Sequence, residues 1–151
     1  MRAASLRRLR VVDSPLVAMK LAAVRDAIAR IQAVLPSTLV EFQTDRTARE
    51  VVALNLFVAI QECLGLASHI LADAGWGMPR TYGESFSVLA EHDVLSPALA
   101  LRMRAAAGLR NLLAHQYGVV DFDRVFELAR DRLDDLNAYC AAVAGWIERQ
   151  T

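Results

Sequence analysis

Two cysteines are the whole thiol inventory of this 151-residue chain. Cys63 and Cys140 have no CxxC or Cys/His ligand spacing, and each sits in an apolar helical pattern. They read as buried free thiols of a reducing compartment, which excludes a disulfide framework and a zinc site. Net charge is lacking too. Seventeen Lys and Arg side chains balance seventeen Asp and Glu, so bulk charge points to no polyelectrolyte partner. No apolar run approaches the length that spans a bilayer. Residues 1–10 are rich in arginine, but no apolar segment follows them, so they do not form a secretory signal. The expected location is the cytoplasm, with no membrane partner. There is no glycine-rich phosphate loop ending in Lys-Ser/Thr and no Gly-x-Ser-x-Gly. No helix carries the Glu-x-x-His pair of a ferritin-like dimetal centre.

Strand patterns are missing as well, because no run alternates polar and apolar residues. Helical periodicity fills the chain instead. Ser14-Pro15 supplies an N-cap and a first-turn proline, and apolar residues from Leu16 to Leu35 follow at three- and four-residue spacing. Pro36 ends or bends that helix, and residues 38–43 prolong it beyond a kink. A second helix is expected from Asp45 to Ala74, ending before Gly75-Trp76-Gly77. Its middle is apolar around most of its circumference, so it needs neighbours on several sides. Thr81 and Glu84 fit a capping box that opens a short helix to Glu91. Ser96-Pro97 starts a fourth helix towards Ala114, Gly118 marks its exit, and Asp121 caps a final long helix to Ile147. The expected fold is all-α: an up-and-down bundle of four longer helices plus a short one. Residues 1–13 form a basic arm, and residues 14–151 a single domain without repeats or linkers.

One stretch departs from this apolar scaffold. Residues 94–120 contain no carboxylate but hold Arg102, Arg104, Arg110 and His115. Within them, Arg110, Asn111, His115 and Tyr117 fall inside eight positions. Metal-independent RNA cleavage needs a base for the ribose 2′-OH, a cation for the developing phosphorane charge and an acid for the leaving 5′-oxygen. Histidine titrates near neutral pH and suits proton transfer. Arginine stays charged and grips phosphate with a planar fork. Asn111 and His115 lie one turn apart on one face. Arg110 and His115 stand about 140° apart on a straight helix, so one helix alone does not converge them. A bent helix end, or two copies facing each other across a dimer axis, would. The alternative is structural: Arg110 pairs with Glu127 or Asp131, His115 bonds a helix-end carbonyl and Tyr117 packs in the core. His69, on an apolar helix, reads as a core or interface residue, and His92 as part of a solvated loop. Trp76 and Trp146 read as packing residues, with Trp76 the more exposed.

The run from Arg110 to Tyr117 resembles the R-x4-H-x-Y motif of the HepT family, a branch of the HEPN ribonucleases. Residues 49–70, including Ala59-Ile60-Gln61-Glu62-Cys63, resemble that family's apolar second helix, and residues 79–89 its Pro/Tyr/Phe/Leu segment. The likeness covers roughly residues 16–147. It implies a HEPN-like bundle and a homodimeric endoribonuclease toxin with its site at the dimer interface, whose cleavage leaves a 2′,3′-cyclic phosphate. It implies Arg110 and His115 as catalytic residues supported by Asn111. It also implies that a MntA-type minimal nucleotidyltransferase antitoxin attaches AMP to Tyr117. ATP and magnesium then belong to that partner, and no cofactor or metal is expected here. A non-catalytic HEPN subunit that binds or regulates a nucleotidyltransferase is the rival reading.

Overall fold

The structure is a computed structural model that describes residues 15–115 and 120–150, apart from the side chains of Leu112, Ala114 and His115. The basic arm, the Ser14 cap, Tyr117 and Gly118 lie outside the described residues. Seven helices make up the described chain: α1 (Pro15–Val34), α2 (Leu39–Thr44), α3 (Arg46–Ala74), α4 (Tyr82–Glu91), α5 (Pro97–His115), α6 (Phe122–Asp131) and α7 (Leu133–Gln150). No strand occurs among the described residues.

Local chemistry sets most boundaries. The Asp45 carboxylate accepts from the Ala48 amide at 3.0 Å and the Asp121 carboxylate from Arg124 at 3.2 Å, each satisfying an orphan donor of a first turn. Ser96 Oγ does the same for Leu99. The Thr81 hydroxyl accepts from the Glu84 amide, as a capping box requires. The reciprocal bond falls one residue early, because Glu84 Oε2 accepts from Arg80 N–H at 2.8 Å. Gly75 closes α3 in the left-handed region at φ 73°, where a Cβ would be strained.

Two expectations about continuity change. Residues 38–43 do not prolong α1; Thr38 caps α2 as a separate short helix. The long final helix is two, broken at Arg132 (φ −119°, ψ 2°) although its amide still reaches Leu128 O. No proline or glycine marks the break. α6 packs on α2 and α3, whereas α7 packs on α1, α3 and α5, so the helix turns to serve two sets of neighbours.

Helix α3 is the axis of the bundle and contacts every other helix. It is long and apolar enough to cross a membrane by length and composition. That departs from the expectation that no apolar run approaches such a length, although Asn55, Gln61 and the charged Glu62 interrupt the stretch. In the fold, its Val52, Leu56, Ala59, Ile60, Leu66, Ala67 and Ile70 are buried in the shared core. Two aromatic clusters tie the outer helices together, and one of them also bonds to α3. Phe42 meets Phe122 and Phe126 at centroid distances of 6.4 and 5.3 Å. Phe86 stands edge-on to Tyr139 at 5.5 Å, and the Tyr139 hydroxyl donates to Cys63 O at 2.9 Å. Both cysteines are buried and free, as expected; burial pushes the Cys63 thiol well up from its ordinary range. Trp76 packs edge-on to Trp146 and stacks on His92 at 3.8 Å, so His92 is not simply solvated.

These contacts rank the core. Phe86→Ala is expected to cost about 3–5 kcal/mol, and Tyr139→Phe about 1 kcal/mol through the lost hydroxyl bond. Urea unfolding of the two variants checks that order.

Candidate ribonuclease site

Arg110 lies near the C-terminal end of α5, half-buried against α3 and α4. Its Nε donates to Gln61 Oε1 at 2.8 Å and its Nη1 to Asn111 Oδ1 at 3.3 Å. The guanidinium lies 4.9 Å from the Tyr82 ring centroid and 5.5 Å from that of Phe57. Phe57 and Gln61 are one turn apart on α3, which places a flat face and an acceptor under the same cation.

All of these partners are neutral. Among the described residues, no ion pair includes Arg110. Some other arginines do have acidic partners: Arg102 pairs with Asp135 at 2.8 Å, Arg30 with Asp26 and Arg130 with Asp131. The structural alternative for Arg110 is thereby corrected, since neither Glu127 nor Asp131 reaches it. A carboxylate beside a guanidinium cancels most of its attraction for a third, anionic group. Amide and ring partners fix its direction and leave its charge uncompensated. This arrangement orients a cation while keeping it available to a phosphate.

The remaining predicted residues are placed unequally. Asn111 is exposed, and its carbonyl oxygen accepts from Arg110. The α5 backbone continues unbroken to His115, one turn beyond Asn111 on the same face. The His115 side chain and Tyr117 lie outside the described residues. Sequence reading missed Gln61, Phe57 and Tyr82 as partners of Arg110. The i, i+4 spacing of Phe57 and Gln61 was legible; that α5 would pack its arginine there was not.

A groove of about 780 Å³ lies on another flank of α5, floored by Leu56 and Ile60. Arg102, Arg124, Asp121 and Asp135 line it together, so its charges are mixed and it lacks Arg110.

Comparison with known proteins identifies the relatives of this chain. The sequence model of the family described as Ribonuclease HepT-like matches residues 24–143. The mRNA nuclease HepT of Shewanella oneidensis is 29% identical over 120 residues, covering 80% of this chain and 90% of that protein. The tRNA nuclease HepT of Aphanizomenon flos-aquae is 35% identical over 66 residues, covering 44% of this chain and 45% of that protein. A solved structure of the tri-AMPylated Shewanella oneidensis HEPN toxin in complex with MNT antitoxin superposes with a TM-score of 0.80 at 26% identity, covering 87% of this chain and 98% of that one. With its helical order and a match across most of its length, this chain belongs to the HepT-like ribonuclease family.

Proposed function

We propose that this protein is the toxin of a toxin–antitoxin pair, an endoribonuclease that works without a metal ion and is silenced by AMP attached to Tyr117. The observation that carries the reading is Arg110 held by Gln61, Phe57, Tyr82 and Asn111 with no carboxylate among them. The nuclease relatives and the AMPylated toxin–antitoxin complex support it.

The ribose 2′-OH loses its proton to one histidine, and its oxygen attacks the adjacent phosphorus. The P–O5′ bond breaks, and the departing 5′-oxygen takes a proton from a second histidine. The products are a 2′,3′-cyclic phosphate and a 5′-OH end. Arg110 neutralises the charge that builds on the non-bridging oxygens. Two proton carriers are needed and the motif supplies one per chain. A homodimer in which two α5 helices face each other would provide both as His115. Tyr117 lies two positions beyond His115 in sequence. For silencing, its hydroxyl oxygen would attack the α-phosphorus of ATP on a nucleotidyltransferase partner, releasing pyrophosphate and its own proton. The added phosphate and adenine then compete with RNA for the same cation. An RNA substrate and a partner that uses ATP are consistent with a cytoplasmic setting.

His115→Ala and Arg110→Ala are each expected to lower cleavage by about 100-fold or more while leaving the helical circular dichroism unchanged. Cleavage by wild-type protein should persist in EDTA and leave cyclic phosphate ends; undiminished cleavage by folded His115→Ala would sink the reading and favour a non-catalytic subunit. Intact mass after incubation with the partner, ATP and magnesium should show added AMP on wild-type protein and none on Tyr117→Phe. Gln61→Glu keeps the shape of the acceptor but compensates the Arg110 charge. It should reduce cleavage by about tenfold without lowering the unfolding midpoint.

A further inference from the structure

The face of α5 that carries Asn111 and His115 extends back to another arginine. Arg104, Gly108, Asn111 and His115 succeed one another at spacings of four, three and four residues. On a helix they fall within about 60° of each other, with Arg104 about 10 Å along the axis from Asn111. Arg104, Gly108 and Asn111 are all exposed. A Cβ placed on Gly108 would meet nothing within 4 Å, so the surface between the two polar residues is open.

Arg104 is held as Arg110 is held. Its stem crosses Gly83 on α4, with Cγ 3.6 Å from where a Cβ would stand. Its Nη1 donates to Ser87 Oγ at 3.1 Å. Among the described residues it joins no ion pair. Glu84, next to Gly83 in sequence, is turned to the Arg80 amide. Arg102, two residues away, is bound to Asp135. Two arginines of α5 are thus anchored on neutral groups, and both belong to the carboxylate-free stretch of residues 94–120.

Resting on the ribonuclease reading, we propose that Arg104 forms a second phosphate subsite. It binds a backbone phosphate of single-stranded RNA away from the scissile one, and the strand lies along the open face over Gly108. Such a contact reads charge and not sequence. It should act on binding and leave the chemical step alone.

The test uses Arg104→Gln in the full-length chain, with Arg102→Gln as control, since losing an exposed ion pair has little effect on folding. For cleavage of a short single-stranded RNA, Arg104→Gln is expected to raise KM by about tenfold and leave kcat within about twofold. In a His115→Ala background, fluorescence anisotropy of the same labelled RNA should show weaker binding. The slope of log affinity against log salt should fall by about 0.7, the value for one lost phosphate contact on a single strand. Arg102→Gln should change neither. Gly108→Leu, whose Cβ would meet no protein atom within 4 Å, should fold and raise KM by crowding the strand. Unchanged binding and salt slope in Arg104→Gln overturn the subsite. Loss of affinity accompanied by a fall in assembly mass by light scattering also overturns it, and assigns Arg104 to a contact between subunits. Failure of wild-type protein to cleave RNA would refute the proposed activity separately, because the anisotropy arm still reads the subsite.

Discussion

The apolar middle of α3 needs neighbours on several sides, and the rest of the molecule covers much of it while Leu54 stays on the surface. Each of the other helices contributes a side to that cover. Where the pattern is interrupted, the polar group must find a partner within the bundle or pay for desolvation. Gln61 and Glu62 are adjacent interruptions and resolve in opposite directions: Glu62 meets Lys20 on α1 at 3.1 Å, and Gln61 meets Arg110 on α5 at 2.8 Å. The site is therefore built from the same constraint that builds the core.

The choice of partner matters electrostatically. The charged neighbour, Glu62, pairs with a lysine of α1, whereas the neutral one holds the arginine of the motif. In a partly desolvated position, an adjacent carboxylate would dominate the local potential. An amide with two aromatic rings gives direction without compensation. Arg104 is likewise held by a neutral group, Ser87, whereas Arg30, Arg102 and Arg130 pair with acids.

Much of the bundle was legible because its signals are local. Asp45, Thr81, Ser96 and Asp121 cap helices through bonds that reach only three residues. Gly75 ends one through its own backbone freedom. The break at Arg132 was not legible, since nothing within four residues demands it; α6 and α7 diverge only because their neighbours do. The extent of α3, from its Asp45 cap to Ala74, was legible, but the partners of its polar residues were not: Gln61 is satisfied across the bundle and Asn55 donates to Val51 O within the helix.

The Arg110–Tyr117 motif and its carboxylate-free surroundings are properties of the sequence alone, because side-chain type and spacing along one helix follow from residue order. Sequence alone also determined an all-helical chain, through periodicity and caps. What holds Arg110 was decided only in three dimensions. Gln61 and Tyr82 lie 49 and 28 positions away from it, and no local rule brings groups so distant together. They meet because α4 and α5 must both pack on α3, and that packing turned a motif on one helix into a held and uncompensated cation.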